Sequence, residues 1–211
     1  MYALWRNQIP ESIELVGVDY PGRAGRSDEA PIAHLETLAE TLAASLQPDT
    51  DEPFALLGQS MGGLVAFEVA HRLAQRNRLP LHLFVCACRA PGQNVHSLIH
   101  QLPDDAFLAE LDRRVGRQRH NDMALLRADI TAAERYWAPP ERRVACPISV
   151  IGGLEDRLHS RSALAQWCNR TTGRFSLQFV PGGHFFRGHL DRVAAVIAAE
   201  LDRSVAEHCA N

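Results

Sequence analysis

Several features that would each point to a function are missing from this sequence. No stretch approaches the roughly 18 consecutive apolar residues of a membrane-spanning helix. The 211 residues carry 22 Lys and Arg against 25 Asp and Glu, a formal net charge of −3. That balance leaves out the basic footprint of a nucleic-acid binder. Cys86, Cys88, Cys146, Cys168 and Cys209 form no C-x-x-C pair and no zinc spacing. They are expected to be reduced, mostly buried thiols of a cytosolic protein. There is no H-E-x-x-H, no G-x-x-x-x-G-K-[ST] and no G-x-G-x-x-G, so neither a metal nor a nucleotide cofactor is expected. The opening MYALWRNQIPESIEL lacks the basic flank and apolar run of a signal peptide, which fits a cytoplasmic location.

What is present is an ordinary globular balance. Apolar residues make up 46% and charged residues 22%, enough to bury one core and too apolar for disorder. Short apolar runs alternate with helical patterns. IELVGVDY (13–20), FALLG (54–58), LHLFVCACRA (81–90), PISVIGG (147–153) and SLQFVPGG (176–183) read as strands. Between them, Leu35, Leu38, Ala39, Leu42 and Leu46 mark one helix face, and a helix from Gly62 to about Arg76 is apolar nearly all round. Another helix is expected around 161–170, and Leu190, Val193, Ala194, Ile197 and Leu201 stripe a last one. The alternation predicts one domain over 1–211, a mostly parallel sheet with helices on both faces. Residues 98–140 break the pattern with two helical stretches and no strand, placed where a lid over the sheet's carboxyl edge would sit.

Gly58-Gln59-Ser60-Met61-Gly62 has the G-x-S-x-G spacing of a nucleophile elbow, with a strand before it and a buried helix after it. A serine on such a turn points its hydroxyl out of the sheet, and bulk two residues before or after it would collide. The following helix directs its N-terminus at the site, so the Met61 N–H can donate to an oxyanion. A serine needs a base. His184, in the glycine-rich loop FVPGGHFF past the last strand, is the first candidate and His189 the second. The base needs an acid to orient it. Asp156 follows the 147–153 strand in SVIGGLEDRL, with Glu155 as the alternative. The chain order Ser60, Asp156, His184 is that of an α/β-hydrolase.

IELVGVDYPGRAGR, PFALLGQSMGGLVAFEVAHRL, CRAPG, LPDDAFLAEL, LLRADITAAERY, PISVIGGLEDRL and FVPGGHFF, in that order, resemble the stand-alone type II thioesterases of nonribosomal peptide and polyketide synthesis. The resemblance implies Ser60 as nucleophile, Asp156 as acid and His184 as base, with no cofactor bound to the chain itself. It implies substrates carried as acyl thioesters on the phosphopantetheine arm of acyl or peptidyl carrier proteins, from which stalled or aberrant groups are cleared. Small acyl thioesters would also serve, with no nucleic acid or membrane as partner. Arg23 and Arg26 are candidates for carrier docking.

The sequence departs from that family in three places. Gln59 stands where histidine is usual, and Leu154 where a second acidic residue is common. MYALWRNQIPESIELVGVDYPGR also begins downstream of the strand and F-P-x-A-G-G loop that normally supply a second oxyanion N–H. The expectation is a start codon further upstream, which in-frame DNA would reveal. Two other readings stay open: a small-molecule carboxylesterase or lipase-like hydrolase on the same fold, and a catalytically impaired remnant that binds carriers.

Overall fold

Leu56, Leu83, Ile148 and Phe175 stand side by side across four neighbouring strands, one residue from each. This row sets the architecture in a computed structural model that describes residues 5–46, 52–93, 97–117 and 122–210. The strands are β1 (Ala55–Gln59), β2 (His82–Cys86), β3 (Ile148–Gly153) and β4 (Phe175–Val180). All pairs are parallel and their order is that of the sequence. Side chains alternate along each strand, so Leu56, Leu83, Val85, Ile148, Val150 and Leu177 face one core, and Leu57, Phe84, Cys86 and Ile151 face the other.

The first core is covered by α1 (Leu35–Ser45) and α2 (Met61–Gln75), which carry the two apolar stripes read in the sequence. Short α5 (Arg161–Ala165) and the 3₁₀ turn Gln166–Arg170 add Leu164 and Trp167 to that face. The second core is closed by α6 (Leu190–Cys209) through Val193 and Ile197, with Trp5 beside it. Parallel strands buried on both sides require this double cover.

Between β2 and β3 come α3 (Asp104–Val115) and α4 (Met123–Arg135), the two expected helices; residues 118–121 of that expected insertion lie outside the described residues. The pair has a small core of its own around Ile99, Phe107 and Leu111. Ala132 and Ala133 of α4 belong instead to the first main core. Where the pair leaves toward β3, the Tyr136 hydroxyl donates to Glu68 Oε1 of α2 at 2.5 Å, and Arg142 pairs with the same buried carboxylate at 2.5 Å.

One expected strand is not formed. Residues 13–20 run without regular structure and join no ladder, and Val16 and Val18 are exposed. Among the described residues β1 pairs only with β2. An apolar run becomes a strand only where a neighbour's backbone accepts its hydrogen bonds, and apolar content does not report that. A cleft of about 630 Å³ follows this segment, lined by residues from Arg6 to Asp19. The 81–90 strand is also shorter than expected, because Ala87 takes a positive φ of 47° and turns the chain out of β2.

Candidate functional site

Ser60 lies between the end of β1 and the start of α2, with φ 53° and ψ −127°. That strained turn is held by the Ser60 N–H donating to the Cys86 carbonyl at 2.9 Å and the Gly63 N–H donating to the Ser60 carbonyl at 2.9 Å. Gly58 is required by contact: a β-carbon there would fall inside the Gly62 carbonyl. Gly62 is not constrained in the same way. A β-carbon on it would stand 3.6 Å from the Tyr20 hydroxyl, an ordinary contact. The collision expected two residues after Ser60 is therefore absent, and the close approach constrains Gly58 alone of the two. Burial pushes the Tyr20 phenol up to about 12, so it stays protonated beside the elbow.

The loops after β3 and β4 bring the other expected residues to Ser60. The distance from His184 Nε2 to Ser60 Oγ is 3.0 Å, and from His184 Nδ1 to Asp156 Oδ2 3.1 Å. With a proton on Nδ1 facing the carboxylate, Nε2 is left to accept from the serine hydroxyl. Both the His184 and the Asp156 side chains are almost wholly buried. Burial pushes the Asp156 carboxyl up, but the hydrogen bond and charge of His184, with the Leu158 N–H donating at 2.9 Å, outweigh it and hold the group below its ordinary value. Phe185 stacks edge-on to the His184 ring at 4.9 Å.

The alternatives take other roles. Glu155 turns its carboxylate to the Gly182 N–H, away from His184. His189 is the residue before α6, and its ring packs near Gly182. Arg23 does not stand free for docking: it pairs with Asp129 of α4 at 2.5 Å and lies over the Tyr20 ring. Arg26 pairs with Glu29 at 2.5 Å. The Met61 N–H belongs to the first turn of α2, whose leading N–H groups have no acceptor within the helix.

Sequence reasoning missed His159. Its ring centre lies 5.9 Å from that of His184, and burial together with the His184 charge pushes its pKa down. The signal was a histidine three residues past Asp156, on the same loop. Cys86, Cys88 and Cys146 are buried, and burial pushes the Cys88 and Cys146 thiols up to about 12. Cys168 and Cys209 are exposed, and all five are free. Among the described residues no three His, Cys, Asp or Glu side chains are grouped as metal ligands, and no helix is long and apolar enough to cross a membrane.

A thioesterase domain model matches residues 1–201. The chain belongs to the thioesterase domain family. A probable cadicidin biosynthesis thioesterase of Streptomyces griseus is 37% identical over 198 residues, covering 89% of this chain and 55% of the relative's length. The solved structure of RedJ, a thioesterase from the prodiginine biosynthetic pathway in Streptomyces coelicolor, superposes with a TM-score of 0.85 at 32% identity, covering 93% of this chain and 78% of that one. BorB, a type II thioesterase from the borrelidin biosynthetic cluster, superposes with a TM-score of 0.78 at 34% identity, covering 88% and 80%. The α/β-hydrolase fold and the likeness to type II thioesterases, both read from the sequence, are borne out by these matches.

Proposed function

We propose that this thioesterase-family chain hydrolyses acyl thioesters held on the phosphopantetheine arm of carrier proteins in nonribosomal peptide or polyketide synthesis, clearing stalled or aberrant groups. The observation that carries the reading is the hydrogen-bonded series Ser60 Oγ, His184 Nε2, His184 Nδ1 and Asp156 Oδ2, at 3.0 and 3.1 Å. As Ser60 attacks the thioester carbonyl, its proton passes to His184 Nε2. Asp156 steadies the imidazolium, and the Met61 N–H donates to the developing oxyanion. The C–S bond breaks, and His184 returns the proton to the departing sulfur. Water, deprotonated by His184, then attacks the acyl-serine, and the carboxylic acid leaves as Ser60 recovers its proton. A thiol departs more readily than an alcohol, so a modest triad suffices for thioesters. The helical pair would form the lid that admits the acyl arm.

The test is thiol release from a short acyl-N-acetylcysteamine by the wild type and Ser60→Ala side by side. Hydrolysis lost by at least about 10³-fold in the variant supports the reading. Equal rates in both proteins would sink it and leave a binding role. Oxygen esters turned over faster than thioesters would favour a carboxylesterase.

A further inference from the structure

The residue before Ser60 and the residue before Asp156 both reach the loop that carries His184. Gln59 Nε2 donates to the His184 main-chain carbonyl at 2.9 Å. The Glu155 carboxylate accepts from the Gly182 N–H. The main chain repeats this second tie, with the Glu155 N–H donating to the Gly182 carbonyl at 3.1 Å and the Leu154 N–H to the Val180 carbonyl at 2.9 Å.

The loop needs such ties. Between Val180 and Leu190 it belongs to no strand or helix, and Gly182 and Gly188 hold φ of 103° and 76°. Its internal bonds, Phe186 N–H to the Gly183 carbonyl and His189 N–H to the Phe186 carbonyl, shape the turn without locating it. Buried Phe186 pins the far side into the second core. On the near side the imidazole must meet two partners at once, and a misplacement of about 1 Å can cost about 10²-fold in rate.

We propose that Gln59 and Glu155 are positioning residues. Each braces the 181–189 loop from the strand end of another triad member, so the His184 ring is located by its neighbours' predecessors. This rests on the triad reading above. The chemistry of each brace suits the task. An amide N–H donates at every pH, whereas a histidine at position 59 would change its donors near pH 6.5. A carboxylate accepting a main-chain N–H makes a charge-assisted bond, stronger than a neutral one.

The experiment compares Gln59→Met, which keeps length and loses the donor, with Gln59→His, which restores an N–H. It likewise compares Glu155→Ala with Glu155→Gln, which keeps an acceptor. Thioester kcat and KM, Ser60 labelling by a fluorophosphonate, Tm, and the His184 imidazole NMR signals are recorded for each. Gln59→Met and Glu155→Ala should each lower kcat and labelling about 10- to 100-fold, with KM within about twofold and shifted His184 signals. Gln59→His and Glu155→Gln should recover most of the loss. Unchanged kcat, labelling and His184 signals in Gln59→Met and Glu155→Ala would overturn the proposal. So would losses that follow Tm alone and that neither conservative variant restores. Ser60→Ala in the same assay separates the two ideas. If it is inert while Gln59→Met matches wild type, only the braces fall. If it matches wild type in hydrolysis, the triad reading falls and takes the braces with it.

Discussion

Around Ser60, three loops meet through main-chain hydrogen bonds and one buried imidazole; across α3 and α4, a small apolar core is tied down mainly by ion pairs and side chains reaching carbonyls. Arg23 holds Asp129, Arg89 donates to the Ala133 carbonyl at 2.9 Å, and Arg127 donates to the His100 and Leu102 carbonyls. The Glu134 carboxylate collects the Ile99 and His100 N–H groups together with His100 Nδ1. α3 packs within the pair's own core, while α4 also enters the main one. The two regions differ in what a displacement costs. Moving a loop at the sheet edge breaks several main-chain bonds at once and unseats buried His184 and Phe186. Sliding α3 disturbs pairs such as Arg127–Asp104, whose side chains are 28% and 71% exposed and which water and salt can replace.

Three changes would break or sharpen that contrast. The largest effect belongs to Asp156→Asn, which keeps the shape of the site and reverses what the imidazole can accept. It should cost about 10⁴-fold in kcat with little change in Tm. A kcat within tenfold of wild type would shift the acid's role to another group.

A middle effect comes from beneath the edge. Buried His82 exchanges hydrogen bonds with Ser204 and Ser149 at 2.8 and 2.9 Å, between the sheet and α6. Burial, and then the Arg174 charge, push its pKa down from 6.5 to about 4, against a smaller pull from Glu200. The unfolded chain takes up this proton near pH 6.5 and the folded chain only near pH 4. The folded state therefore keeps its full stability above pH 6.5 and loses it as the pH falls toward 4, by about 3 kcal/mol in all. Urea unfolding of wild type and His82→Gln across that range should show the two curves converging as the pH falls. A constant gap between them would count against this account.

The smallest effect is expected from Arg23→Ala, which removes a tie to α4 of the helical pair. The Arg23 and Asp129 side chains are 31% and 24% exposed, so the pair contributes less than about 1 kcal/mol. Tm should hold to within a few degrees while KM for a long acyl thioester changes. A loss of several kcal/mol would show that the helical pair is fastened as firmly as the sheet edge.

Much of this was legible before the structure. β1 to β4 came from apolar runs bounded by turn residues, because a doubly covered parallel strand has few other ways to read. Ser60, Asp156 and His184 could be singled out because each follows such a run. Residues 13–20 misled by the same logic, since a ladder depends on what lies alongside. The roles of Gln59 and Glu155 could not be read at all: a bond to a carbonyl 125 residues away depends on which loops the fold sets side by side. Glu68 was equally hidden, because a helical glutamate reads as surface until Tyr136 and Arg142 are seen to share its buried carboxylate. Arg23 and Arg26 looked available only while their acidic neighbours were out of view.

The order of the strands also bears on how the molecule comes into being. Among the described residues, Ser60 follows β1, and the imidazole that meets it lies 124 residues later, past β4. On the proposed triad, the serine therefore leaves the ribosome well ahead of its base. On that proposal Ser60 stays an ordinary alcohol until β4 docks and the loop behind it closes, so labelling of Ser60 would report that the β1 to β4 sheet has been completed.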